Sequence, residues 1–169
     1  MDGDDLFDPG PAKQILTIEL VPSSSWGDNL RSRLTKAGWD KLRKAAYKAA
    51  NYRCEICNNV GSNQGVAWPV ECHETWSYDE STRVQTLISL ISLCPRCHMV
   101  KHIGRAQVMG KHDEAVAHMQ KVNNWTSDQA KAHIREAFNI WQKRSQGPWT
   151  LNLDALSKYG VGLQDGHSA

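Results

Sequence analysis

The sequence has no long hydrophobic run and no basic N-terminus. Its longest apolar-looking segment, Leu87 to Leu93, is interrupted by serines, whereas a membrane helix needs about 20 consecutive apolar residues. Residues Met1 to Gly10 carry four Asp and no basic residue, which is the opposite of the positive start of a secretory signal. We therefore expect a soluble protein, without membrane contact, in a reducing compartment.

A large excess of charge is also lacking, because the net charge is only +2 over 169 residues. The distribution is uneven, however. Residues 31–53 carry eight basic side chains and one acidic one, net +7, and residues 54–93 have a net charge of −4. Arg96, Lys101, Arg105 and Lys111 follow with no acidic residue among them. Charge runs of this kind are by themselves typical of solvated helix faces.

Hydrophobic spacing predicts a mixed α and β chain without internal repeats. Alternation predicts strands and 3.6-residue periodicity predicts helices. The predicted strands are Lys13–Val21, a strand-like stretch Val66–Val70 that continues into Glu71–Glu74, and Val84–Leu90 after a turn at Asp79–Thr82. The predicted helices are Thr35–Asn51, one opening at Pro95, Asp113–Val122, and one after the capping box Thr126–Gln129, followed by a short element at Leu151–Tyr159. Most of the tryptophans are assigned to the core.

Four of the five cysteines form two Cys-x-x-Cys pairs, Cys54/Cys57 and Cys94/Cys97, with 36 residues between them. Two such pairs supply the four thiolates of a closed tetrahedral zinc site. Free buried cysteines or a redox pair are the alternative, which the matched spacing disfavours. The fifth, Cys72, is interpreted as a small buried apolar residue.

Three histidines lie close to these cysteine pairs in the sequence. His73 belongs to Glu71-Cys72-His73-Glu74, His98 follows Cys97 directly, and His102 comes four residues later. Residues four apart share one face of a helix, so His98 and His102 can hold one ion together. The remaining histidines are interpreted as polar surface residues: His112, His118, His133 and His167.

The combined order of these motifs resembles the His-Asn-His (HNH) endonucleases, the ββα-metal nucleases, in their zinc-stapled branch. The resemblance covers about residues 36 to 106. It implies an α+β fold with a small ββα-metal core and a four-cysteine zinc site. The expected regions are a disordered acidic N-terminus (1–12), an N-terminal strand and loop (13–35), the nuclease core (36–110), a helical extension (111–160) and a flexible tail (161–169).

The resemblance implies that His73 is the general base of phosphodiester hydrolysis and that His98 is a metal ligand, with His102 as a further ligand, as in the colicin-type nucleases. The cofactors it implies are a structural Zn²⁺ and a catalytic Mg²⁺, Mn²⁺ or another divalent ion. Two positions depart from the family: Cys72 stands where an Asp or His ligand is usual, and Ser89 stands near the expected Asn. Glu74 or Glu71 is the expected replacement carboxylate.

The function expected from this resemblance is a DNA endonuclease in the cytoplasm of a bacterial or phage-infected cell. The basic side chains expected to contact phosphates are Arg43, Lys44, Lys48, Arg53, Arg96, Lys101 and Arg105. One alternative is a zinc-stabilised nucleic-acid-binding module with weak or no catalysis. Another is an interaction protein whose C-terminal helices bind a partner or a second copy.

Overall fold

The computed structural model describes residues 14–164, and a three-stranded sheet lies at its centre. Strands β1 (Glu71–Asp79) and β2 (Val84–Leu93) form an antiparallel hairpin, and β3 (Thr150–Asn152) runs parallel to the start of β2. The strand order β1-β2-β3 leaves β1 at an edge. The α+β class expected from the sequence is confirmed.

The described residues also form five α-helices, of which the first two pack against the sheet: α1 (Lys36–Ala49), α2 (Pro95–Lys101), α3 (Ile103–Val108), α4 (His112–Asn123) and α5 (Ser127–Arg144). The Thr35 side chain caps α1, and Thr126 with Gln129 forms the predicted capping box of α5. Such caps satisfy amides at the helix start that have no partner within the helix. Within residues 14–164, no helix has both the length and the hydrophobicity needed to cross a membrane.

Two apolar cores are formed by the packed elements. The α1-side core joins Leu42 and Ala46 of α1 to Cys72, Leu90 and a C-terminal 3-10 helix, Asp154–Tyr159. The cysteine-side core joins the N-terminal segment and helices α2 to α5 to the cysteine pairs. Because successive side chains of a strand point to opposite faces, Cys72 lies in the α1-side core while His73 faces α2.

The predicted strand at Lys13–Val21 is wrong over its described part, residues 14–21, which form neither a strand nor a helix. Their backbone amides bond instead to residues of α2, α4 and α5: Leu16 N donates to Asn123 Oδ1 at 2.8 Å, Ile18 N to His133 Nε2 at 3.0 Å, and Glu19 N to Lys101 O at 3.1 Å. His133 is therefore an acceptor that anchors this segment, not a free surface residue.

The strand predicted at Val66–Val70 is also wrong, because the backbone bends there and β1 begins only at Glu71. The predicted disordered region 1–12, the last residues of the predicted tail, 165–169, and His167 lie outside the described residues. The tail's first residue, Val161, packs against the α1-side core.

Candidate metal centre and histidine site

The four paired cysteines converge at one point of the cysteine-side core. Their sulfur atoms all lie within 4.8 Å of one another, and Cys57 Sγ is 3.6 Å from Cys94 Sγ. Sulfurs around a tetrahedral zinc, with Zn–S bonds of about 2.3 Å, are about 3.8 Å apart. The geometry is therefore compatible with a structural zinc.

Local backbone structure explains how each pair presents its thiols. Asn58 has a left-handed conformation (φ 59°), and its amide donates to Cys54 O, which closes the first turn. In the second pair, Cys94 is the N-cap of α2 and its sulfur accepts from the Cys97 amide at 3.5 Å. Pro95 fits the first turn of α2 because its missing N–H would have no partner there.

The cluster's electrostatics favour at least partial ionisation. Hydrogen bonds between the thiols lower the pKa of Cys54 to about 6, with the Cys57 side chain as the largest cause, and raise the pKa values of Cys57 and Cys97, which donate. Bonds from Cys54 and its neighbours also lower the pKa of Cys94 below its ordinary value. Thiolates are the form that binds zinc.

His118 lies against this cluster, which corrects the prediction that it is a surface residue. Its Nε2 is 3.2 Å from Cys97 Sγ, and the ring is half-buried on α4. An imidazole N–H that donates to a thiolate is a typical supporting contact of a metal site. The spacing of the two residues gives no sign of this contact, because it depends on how α4 packs against α2.

The histidines His73, His98 and His102 form a second cluster, on the α2 face of β1. Their candidate ligand atoms all lie within 4.8 Å of one another. The ring centroid of His98 is 4.8 Å from that of His102 and 5.5 Å from that of His73. The predicted single helix through His98 and His102 ends one residue early: α2 stops at Lys101, and His102 is the junction with α3.

Two glutamates form hydrogen bonds with ring nitrogens of this cluster. Glu19 Oε2 is 2.7 Å from His73 Nε2, and Glu71 Oε2 is 2.6 Å from His98 Nδ1. Carboxylate partners of this kind fix the tautomer and the orientation of an imidazole. The other nitrogen of His73, Nδ1, is buried and has no hydrogen-bond partner. A buried polar atom without a partner costs about 1–3 kcal/mol, so Nδ1 fits a role toward a bound water or ion.

Burial keeps two of the three rings neutral. It lowers the pKa of His73, although the hydrogen bond with Glu19 partly opposes it. It also lowers the pKa of His102 to about 3. Neutral imidazoles are the form that can accept a proton or bind a metal. The His98 bond, in turn, holds the pKa of Glu71 below its ordinary value.

Glu19 was missed by the sequence prediction, although it is the best-connected carboxylate of the site. Its Oε1 also accepts from Lys101 Nζ at 2.5 Å. Burial raises the pKa of Glu19, but the bonds with His73 and Lys101 outweigh this and lower it to about 2. A single glutamate within a presumed strand, 54 residues from His73, carries no local signal of this role.

The structure also places the two candidate carboxylates, Glu71 and Glu74, and the two positions that differ from the family pattern, Cys72 and Ser89. Glu71 contacts His98, whereas Glu74 borders clefts near the histidines without belonging to the cluster. Cys72 is 4% exposed on the opposite face of β1. Ser89 pairs with Thr75 across the hairpin, with their hydroxyl oxygens 2.6 Å apart. The predicted role of Glu74 as a ligand stays a prediction.

The basic residues expected to bind DNA fall into distinct groups. The predicted phosphate contact is wrong for Lys101, because its side chain is 3% exposed and is paired with Glu19. Arg105 is exposed and borders the clefts at His98 and His102. Arg31 also borders one of these clefts and stacks on Trp39. The remaining predicted residues lie on α1, after it, or near the cysteine pairs: Arg43, Lys44, Lys48, Arg53 and Arg96.

His102 lies where four surface clefts of the described residues meet, since it borders each of them. His98 borders two of these clefts and His73 one, so the cluster adjoins open surface on more than one side.

Comparison with known proteins finds no matching family model, no matching curated protein and no matching solved structure.

Proposed function

We propose that the chain is a metal-dependent DNA endonuclease of the HNH type, with a structural zinc at its four paired cysteines. One observation carries the proposal: β1 and the end of α2 bring His73, His98 and His102 together, with the unpartnered Nδ1 of His73 buried beside them. A scaffold held by zinc alone needs the cysteines but has no use for this second cluster. The motif order that resembles the family supports the same conclusion.

The proposed chemistry divides between the three histidines. His98, His102 and a Glu would hold one Mg²⁺, Mn²⁺ or similar ion, which would supply Lewis acidity to the phosphate and to the leaving 3′ oxygen. His73 Nδ1 accepts a proton from the attacking water, while its Nε2–H donates to Glu19. The water oxygen forms a bond to phosphorus and the P–O3′ bond breaks. The products are a 5′ phosphate and a 3′ hydroxyl, which takes its proton from solvent.

Plasmid nicking tests this assignment. His73→Ala is expected to lower the nicking rate by about 10²–10⁴-fold, the usual contribution of a general base. His112→Ala, a partly exposed histidine of α4, is the matched control and should nick at the parental rate. Nicking by His73→Ala as fast as the parent, at the same metal concentration, contradicts the assignment.

The role of His73 as base is separable from a role as third ligand. If His73 is the base, His73→Ala loses turnover but keeps the parental affinity for Mn²⁺, whereas His98→Ala loses both. Titration of Mn²⁺ by its paramagnetic signal measures these affinities without any cleavage. A parallel loss of Mn²⁺ affinity in His73→Ala would make it a ligand.

The exposed basic side chains near the clefts support contact with the phosphates of a DNA backbone. Arg105→Ala is expected to weaken duplex binding and to reduce the salt dependence by about one phosphate contact. Duplex affinity that does not change between low and high salt would contradict this interface.

A zinc-stabilised nucleic-acid-binding module without catalysis is the second candidate. The placement of Cys72 favours it, because the position next to His73 points away from the histidines and supplies them with no ligand. Nicking with and without added divalent ions, on zinc-loaded protein, separates the two: the module binds DNA but leaves the plasmid supercoiled.

A further inference from the structure

A largely apolar cavity of about 610 Å³ opens beside the histidine cluster. Trp26, Phe138 and Trp141 supply aromatic walls, and His102 and Arg105 border it on the side of the cluster. The proposed hydrolysis of a phosphodiester does not use these walls.

The two indoles are held in place by a shared acceptor. Trp26 Nε1 and Trp141 Nε1 each donate to Val21 O at 3.1 Å. Their ring centroids are 6.4 Å apart with planes inclined by 29°. Trp26 remains 61% exposed despite this anchoring. A fixed, exposed indole is suited to stack on a flat ligand with little loss of side-chain entropy.

The charge at the cavity narrows the class of ligand. Among its lining residues, Arg105 is the one with a permanent charge, and its side chain is exposed. Flat aromatic walls beside a single cation match a unit with a planar ring and one adjacent anion. A nucleotide within a DNA strand is such a unit, and bases commonly stack on aromatic side chains in strand-binding proteins.

We infer that this cavity binds an unpaired nucleobase of a DNA strand whose phosphate lies at Arg105, next to the histidine cluster. The inference rests on the proposed function and specifies its substrate. A base inside a duplex is stacked on both sides and cannot reach Trp26. The preferred substrate is then a strand that is single, branched or locally unpaired beside the cleaved bond.

Binding is tested in the His73→Ala background, so that no cleavage interferes. The probes are a labelled oligothymidylate, a duplex of equal length, and an abasic oligonucleotide that keeps the phosphates but has no bases. We expect the oligothymidylate to bind more tightly than the duplex. Trp26→Ala should weaken oligothymidylate binding about tenfold, Trp26→Phe should retain most of it, and abasic binding should not change. Tyr52→Ala, another exposed aromatic that does not line the cavity, is the control.

Equal oligothymidylate affinity of Trp26→Ala and its parent overturns the inference, and so does an equal loss for the abasic probe. A dimer in light scattering that Trp26→Ala abolishes would assign the cavity to a second copy and also overturn it. Plasmid nicking by the unsubstituted chain is measured separately. Cleavage of the labelled oligothymidylate by the unsubstituted chain is measured alongside it. Absent cleavage of both plasmid and oligothymidylate, with Trp26-dependent oligothymidylate binding, contradicts the nuclease, whereas cleavage with Trp26-independent binding contradicts the base site alone.

Discussion

Cys72 and His73 are neighbours in the chain but have opposite surroundings. Cys72 lies in the α1-side core, where burial and the nearby Glu74 raise its pKa to about 12. His73 faces the other histidines and is held by Glu19. The alternation of a strand therefore separates the fifth cysteine from the candidate site, and its predicted role as a small buried residue is confirmed.

Cys72 is expected to resist alkylation in the folded protein. At pH 8 a thiol with a pKa of about 12 is ionised in only about one molecule in ten thousand. Peptide mass spectrometry after iodoacetamide treatment of zinc-loaded protein should find Cys72 unmodified, and the same treatment in guanidinium should modify it. Alkylation of native Cys72 as fast as in guanidinium would contradict the burial.

His118 is expected to strengthen zinc binding through Cys97. Loss of a supporting hydrogen bond of this type lowers metal affinity by about 10–100-fold, so in equilibrium competition His118→Ala should lose zinc at a lower concentration of a chromophoric chelator than the parent. His118→Gln keeps a donor and should be intermediate. His112→Ala on the same helix is the control. Equal zinc affinity of all four proteins would show that the contact has no influence.

At the scale of elements, the sequence predicted the features that depend on neighbouring residues in the chain. The capping box at Thr126 and the turn that joins two strands at Asp79–Thr82 follow from nearby residues, and the structure contains both. The alternation of Leu16 and Ile18 correctly indicates that one side of the N-terminal segment is buried. It does not indicate which groups form hydrogen bonds with the backbone of this segment. Two of those partners, Asn123 and His133, lie more than 100 residues away. No local pattern contains them.

Glu19 ties this N-terminal segment to α2 and should stabilise the fold. Lys101 is only 3% exposed, and its bond to Glu19 offsets the cost of burying its ammonium group. Glu19→Gln removes the charge, and the expected loss is about 3 kcal/mol, the lower end for a broken buried pair, because the carboxylate is 35% exposed. Urea unfolding at pH 7 measures the loss, with the exposed Glu136→Gln as control.

Glu19 also predicts a pH dependence, because its hydrogen bond with His73 and its ion pair with Lys101 lower its pKa. The pKa of Glu19 is about 2 in the folded chain and 4.5 when unperturbed. Its contribution is complete above about pH 4.5 and is lost as the pH falls toward 2. The stability difference between parent and Glu19→Gln should therefore shrink in this window. A difference that stays constant from pH 7 to pH 2.5 would contradict the assignment.

At the scale of the whole molecule, the sheet separates two cores with different needs. The cysteine-side core encloses Cys54, Cys94 and Cys97, none more than 3% exposed, whereas Cys72 is the cysteine of the α1-side core. Sequence spacing predicted that the two cysteine pairs come together and that His98 and His102 are neighbours, and the family resemblance added His73. It did not predict Glu19 or His118, since their contacts depend on tertiary packing across 54 and 21 residues.

Metal removal is expected to open the cysteine-side core before the α1-side core. Structural zinc contributes about 10–16 kcal/mol in small zinc domains, and without it the four thiols are a crowded polar group in an apolar interior. Hydrogen exchange of metal-free protein should show lost protection in α2 and α4, while α1 and β3 keep most of theirs. Metal-free Cys72→Ala should lose protection in the same helices as the metal-free parent, because the Cys72 thiol is not expected to bind the zinc. Equal loss of protection in both cores, or in neither, would contradict a zinc whose structural effect is confined to one side of the sheet.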